Sequence, residues 1–334
     1  MPVAVSISVP RNVQAAVAEI YRGVLRQPIE AFKETTLRGI GGLVPFSSAV
    51  WGSGVHSSNE MLSVSAIEQP IDQLLTYAAR WQASDFVRAA AVGRPGVAFR
   101  NEDVVPLADY HRTEIYREFS KPCGIEHALM IVERNPTTDL GEIVCLFRFD
   151  AAQPFSDEEK ALLEHLSPHL VAAWRQAQLA HHYRAALAGA GIGMVGHESY
   201  AITDDRGLVH AAGEDFCLAL LEVSPGWQGP WFPDALQELV SGGRSALLVG
   251  DYEFTVRRAK DRRLFAVSRQ AGVFGLTPAE SRVARLYAQG FSQRDIALRQ
   301  KVSPATIRNQ LASVYQKLGV HSKLELLRAL NRPE

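Results

Sequence analysis

The chain has 334 residues, 47% hydrophobic and 21% charged, with a formal net charge of -1, a balance that fits a folded globular protein and excludes a disordered one. At roughly 150 residues per domain, that length predicts two domains or three small ones. The start MPVAVSISVPR lacks the regions of a secretory signal, and the weakly polar stretch AALAGAGIGMVG falls short of the ~20 residues that span a bilayer, so a cytoplasmic address without membrane association is expected.

In chain order, SSAVWGSG (47–54) and EMLSVSAI (60–67) are predicted strands, and IDQLLTYAARWQASDFVRAAA (71–91) is a predicted helix laid across their sheet. HALMIVERNPTTDLGEIVCLFRF (127–149) alternates as a hairpin with NPTTDLGE as its turn. A long helix follows to residue 187, opened by a Ser156–Glu159 capping box and carrying Leu162, Leu163, Leu166, Leu170 and Trp174 as one apolar stripe. A second unit starts near Gly191. In it SYAITDDRGLVHAAGEDFCLALLE reads strand, turn, strand, short helix, and ALLVGDYEFTVRRAKDRRLFAVSRQ closes with alternating strands about a charged turn at Lys260–Arg263. Gly272 and Gly275 read as a hinge.

A strand pair feeding a long terminal helix resembles the end of a GAF-type sensor domain, which places that domain at residues 1–187. Residues 188–271 are similar to a PAS-type fold, whose sheet and helices enclose a small pocket. If the body holds an effector, Trp51, Tyr77, Trp81, Asp85, Tyr110, Tyr116 and Phe119 would line a mixed pocket; ordinary core packing is the competing use of each aromatic. The spacing of Tyr77, Trp81 and Asp85 in YAARWQASD also resembles an acyl-homoserine-lactone receptor, although the two-unit body is longer than the single sensory domain of that family.

Other chemistries find little footing. Cys123, Cys145 and Cys217 are scattered, without CxxC spacing, and read as buried small hydrophobes rather than disulfides or thiolate ligands. His165 and His169 stand four apart but lack the glutamate of HExxH, and Pro168 intrudes between them. A receiver domain would need paired acids near the start, where residues 1–29 offer only Glu19. No nucleophile elbow, phosphate loop or dinucleotide fingerprint occurs, so neither catalysis nor a cofactor nor a metal is expected.

The end of the chain carries a different charge from the rest. From Leu276 onward there are ten Lys or Arg against four acids, a surplus of six that leaves the body at -7; a basic module on an acidic body is the footprint of a nucleic-acid binder. Helix starts repeat there. TPAE (277–280) is a capping box with Pro278 at the first helical position, SQRD (292–295) and SKLE (322–325) follow the same logic, and Ser303 caps before Pro304. Gly290 and Gly319 stop the runs. Helices are predicted over about 278–289, 293–300, 304–318 and 323–330. Val283, Leu286, Ile296, Ala297, Val302, Ile307, Leu311, Val314, Leu318, Leu324 and Leu327 are the expected shared core. The two-residue link at Lys301–Val302 suits a sharply crossed helix pair.

Through LTPAE, GFSQRDIA, VSPATIRNQL and KLGVHSKLE the segment resembles the LuxR-type helix-turn-helix, placing a DNA-binding domain at 272–334. Arg308, Gln310 and Ala312 depart from residues common in that family, which alters the sequence read and spares the scaffold. The expected fold is therefore α+β: one or two mixed sensor domains, GAF-like and PAS-like, followed by an all-α four-helix domain. With helix 304–318 in a major groove, Arg308 can pair with guanine and Asn309 with adenine, while Ala312 can pack on a thymine methyl or simply leave room for the backbone. Thr306, Gln310, Ser313, Lys317, His321, Ser322 and Lys323 are candidates for phosphate contacts that position the module. Leu324, Leu327 and Leu330 would pair subunits or pack in the core. The expected protein is a homodimeric, sequence-specific regulator of transcription acting on double-stranded DNA, with a small-molecule effector and RNA polymerase as further partners; a constitutive binder with a purely dimerising body is the remaining alternative.

Overall fold

The computed structural model describes residues 11–188, 199–259, 261–269, 276–288, 290–300 and 302–330, with backbone alone at 11, 187, 188, 278, 285, 324, 327, 328 and 330. Two helices that the sequence reading did not anticipate, α1 (Arg11–Arg26) and α2 (Ile29–Ile40), precede strands β1 (Ser48–Val55) and β2 (Met61–Ile67). The expected single helix over 71–91 is broken into α3 (Ile71–Thr76), a π-helical turn (Tyr77–Trp81) and α4 (Phe86–Gly93). The break has a local cause: the Asp85 carboxylate accepts from the amides of Val87 (2.9 Å) and Arg88 (3.0 Å), starting a new helix instead of extending the old one. Then come β3 (Phe99–Arg100), α5 (Asn101–Val104), α6 (Leu107–Tyr110), a second π-helical turn (Tyr116–Ser120), β4 (His127–Arg134), β5 (Leu140–Arg148) and the long α7 (Asp157–Ala188).

The first sheet is antiparallel in the order β2-β1-β5-β4-β3. Because side chains alternate along a strand, Trp51, Leu129, Ile131, Val144 and Leu146 share the core beneath α1, α2 and α7. Val50, Met130, Val132 and Cys145 pack with α4 on the opposite face. The capping box of α7 is present, with Ser156 N donating to Glu159 Oε2 (2.9 Å) and Glu159 N to Ser156 Oγ (3.2 Å). Buried Arg148 ties it to the sheet through Glu159 Oε1 at 2.5 Å. Leu163, Leu166, Leu170 and Trp174 form the buried stripe, and the helix runs through Pro168.

The last turns of α7 serve a second sheet: Leu179, Tyr183 and Ala186 pack on Ile202, Ala211, Ala259 and Leu264. That sheet is built from β6 (Ser199–Thr203), β7 (Val209–Ala212), helix α8 (Glu214–Val223), a 3-10 turn (Asp234–Leu236), α9 (Gln237–Val240), β8 (Ala246–Val249), β9 (Tyr252–Ala259) and β10 (Arg262–Arg269). Its order, β7-β6-β10-β9-β8, repeats the permutation of the first sheet. On the face away from α7, Phe216, Phe232, Phe254 and Phe265 fill the core with ring centroids 4.7 to 5.8 Å apart. The two units also meet where Gly229 N donates to Thr137 O (2.9 Å), in the β4–β5 turn. A Cβ on Gly229 would sit 2.3 Å from the Thr138 carbonyl oxygen, so the approach requires glycine. The expected start near Gly191, the turn residue Lys260, and the hinge glycines 272 and 275 lie outside the described residues.

Four helices end the chain: α10 (Pro278–Ala288), α11 (Gln293–Gln300), α12 (Pro304–Leu318) and α13 (Lys323–Leu330). Mixed α/β layers in two antiparallel sheets followed by an all-α domain are the α+β class read from the sequence.

Candidate nucleic-acid interface and ligand cavity

Capping sets the geometry of the terminal domain. Thr277 N donates to Glu280 Oε2 (2.6 Å) and Glu280 N to Thr277 Oγ1 (3.3 Å); Ser292 with Asp295 makes an equivalent pair, and at the fourth helix Glu325 N donates to Ser322 Oγ (3.2 Å) while the return bond comes from His321 N to Glu325 Oε2 (2.8 Å). Ser303 Oγ accepts from Thr306 N at 3.1 Å, and Gly319 closes α12 at φ 61°. These reciprocal bonds satisfy donors that a helix start leaves open. Val283, Ile296, Ala297, Ile307 and Leu311 form one buried cluster; Leu276, Ala284, Val314, Val320 and Leu326 form the other. Leu286 and Leu318 pack partly buried against them.

Val302 is a correction: it is 40% exposed, because its place is in the turn, where its N–H closes α11 onto Ala297 O (3.1 Å). Leu326, absent from the expected core, is fully buried. The side chains of Leu324, Leu327 and Leu330, read as a dimer helix, lie outside the described residues.

On α12, Ile307, Leu311 and Val314 anchor the helix while Arg308, Asn309 and Ala312 are exposed. Of the candidates for phosphate contact, Thr306 and His321 are exposed and Gln310 is half-buried. Ser313 and Lys317 are engaged within the domain. Ser313 Oγ donates to Glu280 Oε1 (2.5 Å) and Lys317 Nζ to Glu280 Oε2 (2.7 Å), clasping α12 to α10. Lys317 first, then Ser313, holds the Glu280 carboxyl down at about 2. Ser322 bonds Glu325, and the Lys323 ammonium sits 4.7 Å from the Tyr287 ring centroid. Arg282 of α10 pairs with Asp251 in the β8–β9 turn at 2.7 Å.

A cavity of about 260 Å3 lies on the α4 face of the first sheet. Tyr77, Asp85, Tyr110 and Phe119 line it together; Trp51, Trp81 and Tyr116 do not. Strand alternation turns Trp51 to the other face, where its indole donates to Glu142 Oε2 at 2.7 Å and Lys33 is buried beside it. Trp81 is buried under the Arg80 guanidinium, 4.4 Å away. Tyr116 stacks on His111 at 4.3 Å and donates to Glu126. Sequence reasoning missed Val50, Ala128, Met130, Cys145 and Phe147, the sheet floor of the cavity, and Asn101 and Ser120 among its polar groups. The floor was detectable in the period-two pattern of β1, β4 and β5, had one face been assigned to the cavity.

Burial keeps two phenols and a thiol of the cavity protonated. Burial first, with Asp85 adding to it, pushes the Tyr77 phenol well above its usual range; burial raises Tyr110 to about 12 and raises the Cys145 thiol. Tyr77 donates to Asp85 Oδ2 (2.8 Å) and Tyr110 to Ser120 Oγ (2.8 Å). Of the cysteines, Cys145 and Cys217 are buried as expected and Cys123 is half-exposed. His165 and His169 lie 5.9 Å apart, His169 Nδ1 within 3.3 Å of the Tyr21 hydroxyl; among the described residues no three ligands cluster for a metal. Nor, among those residues, is any helix long and apolar enough to cross a membrane.

A short capped helix, a short connection between Gln300 and Pro304, and a second helix held by an apolar seam with its polar edge outward define a helix-turn-helix domain of the kind that reads DNA. Residues 275–330 match the bacterial regulatory proteins of the luxR family, GerE, and this terminal domain belongs to it. Over 52 residues it is 48% identical to the HTH-type transcriptional regulator Mb0914c of Mycobacterium bovis, covering 16% of this chain and 6% of that protein. Over 59 residues it is 41% identical to the HTH-type transcriptional regulator GfsR of Streptomyces halstedii, covering 17% of this chain and 24% of that one. The chain thus spans a quarter or less of these curated relatives. Among solved structures, the ligand-binding domain of VqsR from Pseudomonas aeruginosa aligns with 51% of this chain and 98% of its own at 17% identity, with a TM-score of 0.39.

Proposed function

We propose that the chain is a signal-responsive, sequence-specific regulator of transcription, divided into a sensor domain at 1–187, a second at 188–271 and the DNA-binding domain at 272–334. The carrying observation is the exposed edge of α12, Arg308, Asn309 and Ala312, standing on a fully buried seat. In a major groove Arg308 reads guanine, Asn309 reads adenine and Ala312 accommodates a thymine methyl. Thr306, Gln310, His321 and Lys323 supply phosphate contacts, while Ser313 and Lys317 first hold α12 in place. One module makes few base contacts, so a homodimer reads two half-sites about one turn, ~10 base pairs, apart. The cavity takes a small-molecule effector, RNA polymerase is the downstream partner, the setting is the cytoplasm, and no catalytic role is assigned to any residue. An acyl-homoserine-lactone receptor has less support, because Trp81 lies away from the cavity and the body carries two sheets.

The test is binding at fixed salt to a duplex selected from a random pool and to its scrambled version. Arg308→Ala weakens the selected duplex by about 1–3 kcal/mol and relaxes one base position, leaving the scrambled duplex unaffected by that term. Equal loss on both duplexes refutes base reading by this helix.

A further inference from the structure

Asn101 opens α5 and is only 1% exposed, yet its Nδ2 has no hydrogen-bond acceptor among the described residues. Its amide lies near the Tyr110 oxygen, which donates its own proton to Ser120 and could accept from one amide N–H; the amide nitrogen carries two, so at least one is left without an acceptor. A buried amide donor without a partner is costly, and native proteins rarely keep one unless something else completes it. Here it borders the cavity.

Several other polar groups of the lining are already engaged. Both oxygens of Asp85 are occupied, one by the α4 amides and the other by Tyr77. The Arg88 guanidinium leaves the cavity to meet Asn59 Oδ1 at 2.8 Å. Gln69 Nε2 donates to Ser48 Oγ at 2.9 Å. A cationic ligand would have to share the Asp85 carboxylate with three donors already on it, and an anionic one finds the Arg88 guanidinium turned to Asn59, so either ion loses its hydration against partial repayment. At the mouth, Met61, Val64, Ile71 and Leu75 are exposed large hydrophobics that also line the space, so an apolar body has a continuous wall from floor to rim. A cavity of about 150 Å3 holds benzene; by proportion, this one suits about ten heavy atoms, with room for a tail to leave through the rim.

Building on the effector reading above, we propose that this cavity selects an uncharged, predominantly apolar molecule bearing one carbonyl-type acceptor, which takes its hydrogen bond from Asn101 Nδ2. Asn101 is the specificity-determining donor, and the sheet floor with the aliphatic rim supplies the apolar contact.

Four probes of matched shape separate the terms by calorimetry on the full chain: butyrophenone, butylbenzene, 4-phenylbutyrate and 4-phenylbutylamine. The expected result is that the ketone binds roughly fivefold to tenfold tighter than the hydrocarbon, the value of one neutral hydrogen bond, and that both ions bind more weakly than either. Asn101→Leu brings the ketone down to the hydrocarbon while hydrocarbon binding persists; should that variant not fold, Asn101→Ala and the ketone-to-hydrocarbon ratio of the unaltered chain carry the same decision. Equal binding of ketone and hydrocarbon by the unaltered chain overturns the assignment to Asn101 and leaves the cavity as an effector site. A ketone preference that survives in Asn101→Leu does likewise, and tightest binding by 4-phenylbutyrate overturns the exclusion of charge. Failure of all four probes removes the effector site itself, and this inference with it.

Discussion

Glu280 provides a quantitative test of how the DNA-binding domain is held together. Its carboxylate accepts from Thr277 N (2.6 Å), Lys317 Nζ (2.7 Å) and Ser313 Oγ (2.5 Å), so one side chain caps α10 and fastens α12. In Glu280→Gln the amide oxygen can still face Thr277 N and Lys317, and the amide nitrogen can donate to Ser313, but the Thr277 and Ser313 bonds become neutral and the Lys317 bond keeps only the charge of its ammonium. Charge-assisted bonds are worth roughly twice neutral ones, about 1 kcal/mol each; Lys317 is partly exposed and regains hydration, so the net cost is about 2 kcal/mol. The carboxyl titrates at about 2 in the fold against an ordinary 4.5. Its contribution is therefore complete above about pH 4.5, declines as the pH falls, and is gone below about 2. Urea titrations of both proteins, followed by a probe in the terminal domain, should show a gap at pH 7 that closes on acidification. Equal midpoints at pH 7, or a gap that persists below pH 2, would refute the clasp.

Three further outcomes are expected. Gly229→Ala places a methyl against the Thr138 carbonyl and should cost at least 1–3 kcal/mol; an unchanged urea midpoint would show that the β4–β5 turn does not bear on the second unit as described. His182 and His210 are both held down at about 4, mainly by burial, with His181 acting further on His182, Arg262 acting on both, and Asp261 and Asp204 opposing. Because the unfolded chain takes up these protons first, stability should be level above about pH 6.5, fall between there and about 4, and flatten in the doubly substituted His182→Gln, His210→Gln protein; an identical pH profile for that protein excludes both groups. Lys317→Ala should lower the melting temperature as well as weaken binding to every duplex, since the same ammonium braces α10; weakened binding at unchanged stability would return Lys317 to a purely phosphate-facing role.

The terminal domain was legible almost residue by residue, because its signals are local. A capping box spans four residues and a helix stop needs one glycine, so helices over about 278–289, 293–300, 304–318 and 323–330 could be delimited without knowing what they touch, against the observed α10 to α13. The β4–β5 hairpin and the stripe of α7 were legible for the same reason. The helices α1 and α2 were missed, although both are amphipathic. One residue hides the pattern of α2: Lys33 sits on its buried side, 2% exposed, where Ser53 Oγ at 2.5 Å and Glu142 Oε2 at 3.4 Å receive its ammonium. Those partners lie 20 and 109 residues away, so nothing near Lys33 announces that a charge there can be buried.

By itself the sequence determined the four terminal helices with their starts and stops, the β4–β5 hairpin, the long α7 and the helix-turn-helix character of the last domain, since backbone donors and apolar periodicity act over a few residues. Tertiary structure alone decided which sheet face opens into a cavity, that Trp51 turns away from it and Asn101 toward it, and that α7 is shared between two sheets. It also decided that Lys317 grips Glu280. These outcomes depend on which distant surfaces exclude water from one another, a property of packed layers that no single stretch of chain contains.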